Sequence, residues 1–301
     1  MTAGADPIST RDFLSLRPRL FAVAYRMLGS VSDAEDIVQD CFIRWQQVNR
    51  EHVSDPTGFL IKIATNLCLD RLRAAKHLRA EYPGEWLPEP ILTDDPTERT
   101  DHDVSVALLL ALERLTPLER AAFLLRDVFD VDYDEVATIL ERSPATCRKL
   151  VTRARSHLHE ARPRSTVSAS EGEAITLAFF QAARTGDTGA LSRLLAENAQ
   201  VIADGGGKAI AARRVIAGRE RLVRFLAGIA KKQQGLPPEP WHFRHLNGLP
   251  AILRRTPEDG LIQTTALKIE DGQITGIYIV RNPEKTAHLT PVFDLPMSSD
   301  I

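Results

Sequence analysis

The chain has 301 residues, 44% hydrophobic and 26% charged, with a formal net charge of −2. That profile excludes a fibrous or wholly disordered chain and leaves enough apolar surface for two or three domains. With so little net charge, contact with nucleic acid has to come from local basic patches.

Cys41, Cys68 and Cys147 lie far apart, each inside an apolar helical pattern, and read as buried thiols rather than a disulfide framework or a metal set. No secretory leader and no bilayer-length apolar run is visible, so a cytoplasmic protein with no membrane contact is expected. No metal and no cofactor is expected either.

Residues 12–28 carry a helical stripe (Phe13, Leu14, Leu20, Phe21, Ala24, Tyr25, Leu28) that stops at Gly29. Ser32 and Glu35 have the spacing of a capping box for a second helix. That helix buries Ile37, Val38, Cys41, Phe42 and Trp45 and turns Asp33, Asp36, Gln39 and Asp40 outward. Acidic residues in a first turn suit the helix dipole, which accounts for Asp33 and Asp36 but not for Asp40. A polar loop ends at Asp55-Pro56. A third helix follows, with Phe59, Leu60, Ile63, Ala64, Leu67, Leu69 and Leu72 apolar and a basic end at Arg71, Arg73, Lys76 and Arg79.

Residues 81–103 are rich in Pro and Gly, and their second half is acidic, as expected of a disordered connector. The apolar run Trp86-Leu87-Pro88-Glu89-Pro90 argues that part of it packs on something. Helix resumes at Val104, and Thr116-Pro117-Leu118-Glu119 is a second capping box with Pro at the first helical position. Asp132 to Leu158 reads as two helices joined by a tight turn, the second started by Ser143-Pro144. Cys147, Val151, Ala154 and Leu158 face inward; Ala145, Thr146, Arg148, Lys149, Thr152 and Arg153 face outward. A basic second helix of this kind suits the DNA major groove, while the plain alternative is a helical hairpin with a solvated basic face.

Past Arg164 a Ser/Thr run marks a boundary, and two helices, a strand ending in Asp204-Gly205-Gly206-Gly207-Lys208, another helix and four alternating strands follow. Asp271-Gly272 is a hairpin turn. Helices first and antiparallel strands after imply an α+β fold.

These stretches resemble the extracytoplasmic-function sigma factors of bacterial RNA polymerase. Asp33–Trp45 resembles region 2.2, and the resemblance implies that Asp33, Asp36, Gln39 and Asp40 dock on the β′ coiled coil of core polymerase. Phe59–Arg73 resembles regions 2.3 and 2.4, which implies −10 promoter contacts by Asn66, Asp70, Arg71 and Arg73. Glu113–Leu158 resembles region 4, which meets the β flap and reads −35 DNA, here through Ser143, Ala145, Thr146, Arg148, Lys149, Thr152 and Arg153. Glu141 stands where the family usually has Gly, and Leu150 where a polar residue is common.

The last part resembles the SnoaL-like domain, a cone-shaped α+β barrel. Three motifs narrow the likeness to the SigJ-like branch with such a domain fused: Trp86–Pro90, Asp204–Lys208, and Asn282-Pro283-Glu284-Lys285, where Asp is commoner than Glu284. The expected architecture is multidomain: region 2 over residues 8–80, a linker over 81–103, region 4 over 104–163, and a SnoaL-like domain over 171–293. The resemblance implies an alternative sigma factor whose fused domain replaces a separate anti-sigma factor through those three motifs. The competing reading is a one-component, ligand-responsive helix-turn-helix regulator acting without polymerase.

Enzyme relatives of the barrel use Asp, His or Tyr as acid or base, which makes Asp204, Trp241, His242, His245 and Tyr278 the candidates. The Gly triplet more simply permits close backbone approach, and it lacks the residues of a P-loop. A non-catalytic docking domain is therefore expected, with a small ligand in its pocket left open. Lys208 and Lys285 are expected to meet Glu89 or the acidic linker.

Overall fold

The computed structural model describes residues 7–49, 53–93, 105–158, 168–236 and 240–294. The acidic half of the linker and the Ser/Thr run around residue 165 lie outside the described residues, as do the side chains of Lys76 and Arg79. The chain divides into two compact units, and residues 81–93 belong with the second.

The first unit is helical. Helix α1 (Pro7–Leu28) ends where Gly29 turns left-handed (φ 69°) and its N–H reaches the Tyr25 carbonyl at 2.7 Å. Helix α2 (Val31–Gln47) is capped by Ser30, which accepts from the Asp33 N–H at 3.1 Å. The cap thus sits two residues before the expected Ser32, because Val31 already has helical geometry; Glu35 pairs with Arg17 at 2.5 Å instead of closing a box. Asp55 caps α3 (Pro56–Ala80) through the Thr57 and Gly58 N–H groups, both at 3.0 Å, with Pro56 leading the helix. Helix α4 (Val106–Leu112) is followed by α5 (Pro117–Phe123), whose Thr116–Glu119 box forms as expected. A π-helical turn (Leu124–Val128) precedes α6 (Tyr133–Leu140) and α7 (Pro144–Leu158).

Tyr25, Ile37, Val38, Cys41, Leu60 and Cys68 fill the space among α1, α2 and α3; Ala121, Leu125, Val136, Cys147 and Val151 do so among α5, α6 and α7. The two groups pack into one body, with α3 against α5 and α6. A buried arginine seals them. Arg120 donates to the Met27 carbonyl at 2.6 Å and to Glu113 at 2.7 Å, and burial pushes its pKa down to about 10. Arg19 reaches the Phe129 carbonyl at 3.1 Å, and the Arg26 guanidinium lies over the Phe129 ring.

The second unit is α+β. Its elements are α8 (Ala169–Thr185), α9 (Thr188–Leu194), β1 (Leu195–Asp204), β2 (Ile216–Ala217), α10 (Arg219–Gln233), β3 (Trp241–Leu246), β4 (Leu249–Arg255), β5 (Ile262–Glu270), β6 (Gln273–Val280), α11 (Pro283–Thr286) and a closing 3-10 turn (Ala287–Asp294). The sheet order is β2-β1-β6-β5-β4-β3. Two features depart from expectation. β1 and β6 run parallel, possible because β2 to β5 separate them in sequence instead of a hairpin. The sheet is open, since β2 and β3 form its opposite edges. Tight turns fix the register of two hairpins: Asp271-Gly272 (φ 50° and 72°) and Asn247-Gly248 (φ 51° and 73°).

Alternation gives the sheet two faces. On one, Leu195, Ala199, Val201, Leu267 and Ile277 meet Phe179, Leu191, Leu222 and Leu226 of the helices in the main core. Asp204 projects to the other, where it meets the linker. The linker is therefore not a free connector here. Leu92 pairs with Leu246, the Thr93 N–H reaches the His245 carbonyl at 2.9 Å, and the Ile91 carbonyl accepts from Asn247 at 2.8 Å.

Candidate nucleic-acid interface and a buried charge cluster

The turn between α6 and α7 is made by Glu141 in the left-handed conformation (φ 54°, ψ 48°), the geometry for which glycine is best suited. Asp132, at the cap of α6, makes no side-chain cap bond. Ser143 does cap α7, accepting from the Thr146 N–H at 3.2 Å. Cys147, Val151, Ala154 and Leu158 are buried, so the opposite face is fixed outward: Ala145, Thr146, Arg148, Lys149, Thr152 and Arg153 are all exposed. Leu150 is half-buried at the edge of this face, which accounts for an apolar residue there. Arg148 is not loose. Its guanidinium lies 5.2 Å from the Tyr133 ring centroid, and Arg126 lies 5.3 Å from the same ring. Arg155 forms a bidentate pair with Asp127 at 2.7 Å, which fastens α7 to the π-helical turn and raises its pKa.

On α2 and α3 the structure joins residues expected to serve different partners, polymerase and the −10 element. Arg71 holds Asp33 at 2.5 Å and Asp36 at 2.9 Å. Gln39 and Asp40 stay exposed, Asp70 pairs with Arg73 at 2.8 Å, and Asn66 is half-buried. Sequence periodicity separates the two faces correctly but does not reveal an ion pair across a helix–helix groove.

The three motifs that lie far apart in sequence converge on Asp204, which is 0% exposed. Its Oδ1 accepts from the Tyr82 hydroxyl at 2.6 Å and the Gly206 N–H at 2.9 Å. Its Oδ2 accepts from the Leu87 N–H at 2.9 Å and from Lys285 Nζ at 2.8 Å. Lys285 also donates to the Leu87 carbonyl at 2.5 Å and sits 4.2 Å from the Trp86 ring centroid. Asn282 donates to Tyr82 at 3.0 Å. A side chain on Gly206 would come within 2.2 Å of Asn282, and one on Gly207 within 2.6 Å of Pro83, so glycine here serves close packing. Pro88, Glu89 and Pro90 are buried beside the cluster, and His288 Nε2 bonds the Pro90 carbonyl at 2.7 Å.

Lys208 pairs with Glu284 and Lys285 with Asp204, each a carboxylate of its own unit, while the acidic half of the linker expected to meet them lies outside the described residues. The sequence marks Tyr82 only as an aromatic residue just ahead of Pro83-Gly84. Burial, then the bond to Asp204, raises its pKa.

The acid–base candidates do not converge. Asp204, Val280, Thr264, Leu253 and His242 occupy one cross-strand row, four strand spacings end to end, or roughly 19 Å. Burial pushes the His242 pKa down. Trp241, which packs on Phe180, and His245 project to the opposite face from His242. Tyr278 is buried, and its pKa is pushed up to about 12 by that burial, with Glu270 adding to it. Beside the glycine loop lies a cleft of about 320 Å³ lined by Pro83, Gly84, Lys208, Ile210 and Arg213. Among the described residues no group of three His, Cys, Asp or Glu side chains could hold a metal ion, and no helix is long and apolar enough to cross a membrane.

Residues 13–77 match the family model of Sigma-70 region 2, and residues 105–158 match that of Sigma-70, region 4. Over 300 residues the chain is 34% identical to the ECF RNA polymerase sigma factor SigJ of Mycobacterium tuberculosis, covering 91% of this chain and 92% of SigJ. The chain belongs to the ECF RNA polymerase sigma factors. It is also 33% identical over 288 residues to the probable ECF sigma factor SigI of the same species, covering 92% of this chain and 94% of SigI. The crystal structure of M. tuberculosis SigJ matches it with a TM-score of 0.74 at 29% identity, covering 92% of this chain and 98% of that one. As an alternative sigma factor the chain directs transcription initiation, which sets aside a regulator acting without polymerase.

Proposed function

We propose that this sigma factor is restrained by its own C-terminal unit, through the linker that joins region 2 to region 4. The observation that carries this reading is the Asp204 cluster: residues 82–93, covalently placed between the two regions, are bonded into the α+β unit. Region 2 and region 4 meanwhile pack as one body. For a unit of that size the radius of gyration is about 14 Å. Promoter elements named −10 and −35 lie about 85 Å apart along a duplex rising 3.4 Å per base pair. The two regions have to separate to reach both, and a clamped linker opposes that.

In the separated state Asp33, Asp36, Gln39 and Asp40 dock on the β′ coiled coil and region 4 meets the β flap. Asn66, Asp70, Arg71 and Arg73 serve the −10 element. Ser143, Ala145, Thr146, Arg148, Lys149, Thr152 and Arg153 serve the −35 element. The working domains are region 2 at 8–80, region 4 at 104–163 and a SnoaL-like domain at 171–293, acting in the cytoplasm in place of a separate anti-sigma factor. That domain acts by docking, not catalysis: Asp204 has no face left for a substrate, since four donors occupy its oxygens. The cleft beside the glycine loop is where a small ligand would bear on the clamp.

The test is transcription from a −10/−35 promoter by core polymerase reconstituted with Trp86→Ala. Output should rise several-fold while both units stay folded, and Trp86→Phe should behave as the unaltered protein. Unchanged or lower output from a folded Trp86→Ala would refute the restraint.

A further inference from the structure

From Lys208 to Lys232 the sequence carries eight basic residues and one acidic residue, Glu220. This is the densest positive stretch of the α+β unit, and the reading of the chain as a sigma factor does not use it. Helix α10 sorts it cleanly. Leu222, Val223, Leu226 and Ala230 are buried against the core. Arg221, Arg224, Gly228, Lys231 and Lys232 are exposed and, at 100° per residue, share one face about a third of the helix circumference wide. None of these four cations has an ion-pair partner among the described residues.

Helix stability accounts for Lys231 and Lys232, which suit the dipole in the last turn, but not for the rest of the stripe. Arg221 and Arg224 stand in the N-terminal half, where the helix dipole disfavours positive charge, and they are like charges at i, i+3. Gly228, in the middle of the stripe, is among the poorest helix formers, and a side chain there would meet nothing within 4 Å, so packing does not require it. A bare backbone flanked by cations suits close approach of a polyanion. The apolar face of α10 is already used in the core, which excludes insertion into a membrane interface.

We infer that the exposed face of α10 is a phosphate-backbone contact for promoter duplex DNA, made by the C-terminal unit independently of the −10 and −35 surfaces. Charge complementarity selects a polyanion, and the polyanion on which a sigma factor works is the promoter. The contact is sequence-independent because it is made to phosphates, which carry no base information.

The test uses holoenzyme assembled from core polymerase and full-length chain, binding a promoter fragment over a range of salt concentrations. Replacing Arg221, Arg224, Lys231 and Lys232 together by Gln should lower affinity at least tenfold at low salt. It should also flatten the log–log salt slope by about 2 to 4, without changing the order of preference among promoter sequences. Gly228→Glu, a better helix former that places a negative charge inside the stripe, should also weaken binding, and by more than Gly228→Ala, which only covers the bare backbone. An unchanged slope and affinity in both charge variants would overturn the inference. So would weakened assembly with core polymerase accompanied by intact DNA binding of the assembled complex, which would assign the stripe to an acidic protein surface.

Discussion

Helix α7 and the Asp204 cluster both depend on charged side chains, and they hold them in opposite ways. Arg148, Lys149 and Arg153 stand in solvent on a face fixed by Cys147, Val151 and Ala154 behind them. Holding such charges exposed contributes little to stability, and under the proposed function their effect is expected only when DNA arrives. Asp204 and Lys285 are 0% and 7% exposed, and backbone N–H groups, a hydroxyl, a carbonyl and aromatic faces surround the pair where water would otherwise be. Substitutions in the first region should therefore read out in DNA binding, and those in the second in folding and linker docking.

The largest effect is expected from breaking the buried pair. Lys285→Met leaves Asp204 buried without its cation and should destabilise the α+β unit by about 3–5 kcal/mol. The loss should be visible as faster amide exchange in β1 and β6. Adding Asp204→Asn to Lys285→Met should recover part of it, because the buried charge is then gone. A loss below about 1 kcal/mol from the single substitution, against the 3–5 kcal/mol typical of broken buried pairs, would mean that water reaches the cluster and that the contrast with α7 is false.

Arg148→Ala tests the other side. Losing one base-reading side chain should cost about 1–3 kcal/mol of discrimination at the −35 element. Stability should change by about 1 kcal/mol or less, the worth of an exposed guanidinium over the Tyr133 ring. Competition binding against altered −35 sequences, with a melting curve on the same sample, gives both numbers. Unaltered sequence preference would remove Arg148 from the interface and leave it as a brace on Tyr133.

Local chemistry was legible in the sequence. The Thr116–Glu119 box and the Asp271-Gly272 hairpin depend on residues a few positions apart, and they stand where the sequence puts them. The helix cap at Ser30 rather than Ser32 is the same chemistry misplaced, since two serines two residues apart offer equal hydroxyls and only the backbone at Val31 decides. Pairings across the chain were not legible. The parallel register of β1 with β6, the Arg71 pairing with Asp33 and Asp36, and Tyr82 on Asp204 join residues 35 to 122 positions apart or bring whole strands together. No periodicity encodes which partners meet. The site motifs around Asp204 were found as separate stretches, and only burial makes them one object.

The smallest predicted effect lies at the turn that separates α6 from α7. Glu141 adopts φ 54°, where a side chain is strained and glycine is not. Its contact with Lys62 is long, 4.0 Å, and the glutamate side chain is 75% exposed, so it contributes little in return. Glu141→Gly should therefore stabilise the helical unit by about 0.5–1 kcal/mol, the strain relieved less the extra freedom of an unfolded glycine. Base preference at −35 should not move, because the outward face of α7 is set by its own buried stripe. A fall in stability would instead show that the Glu141–Lys62 contact helps hold region 4 on region 2. In that case an exposed charge would contribute to folding, and the division between exposed and buried charge would have to be redrawn at this turn.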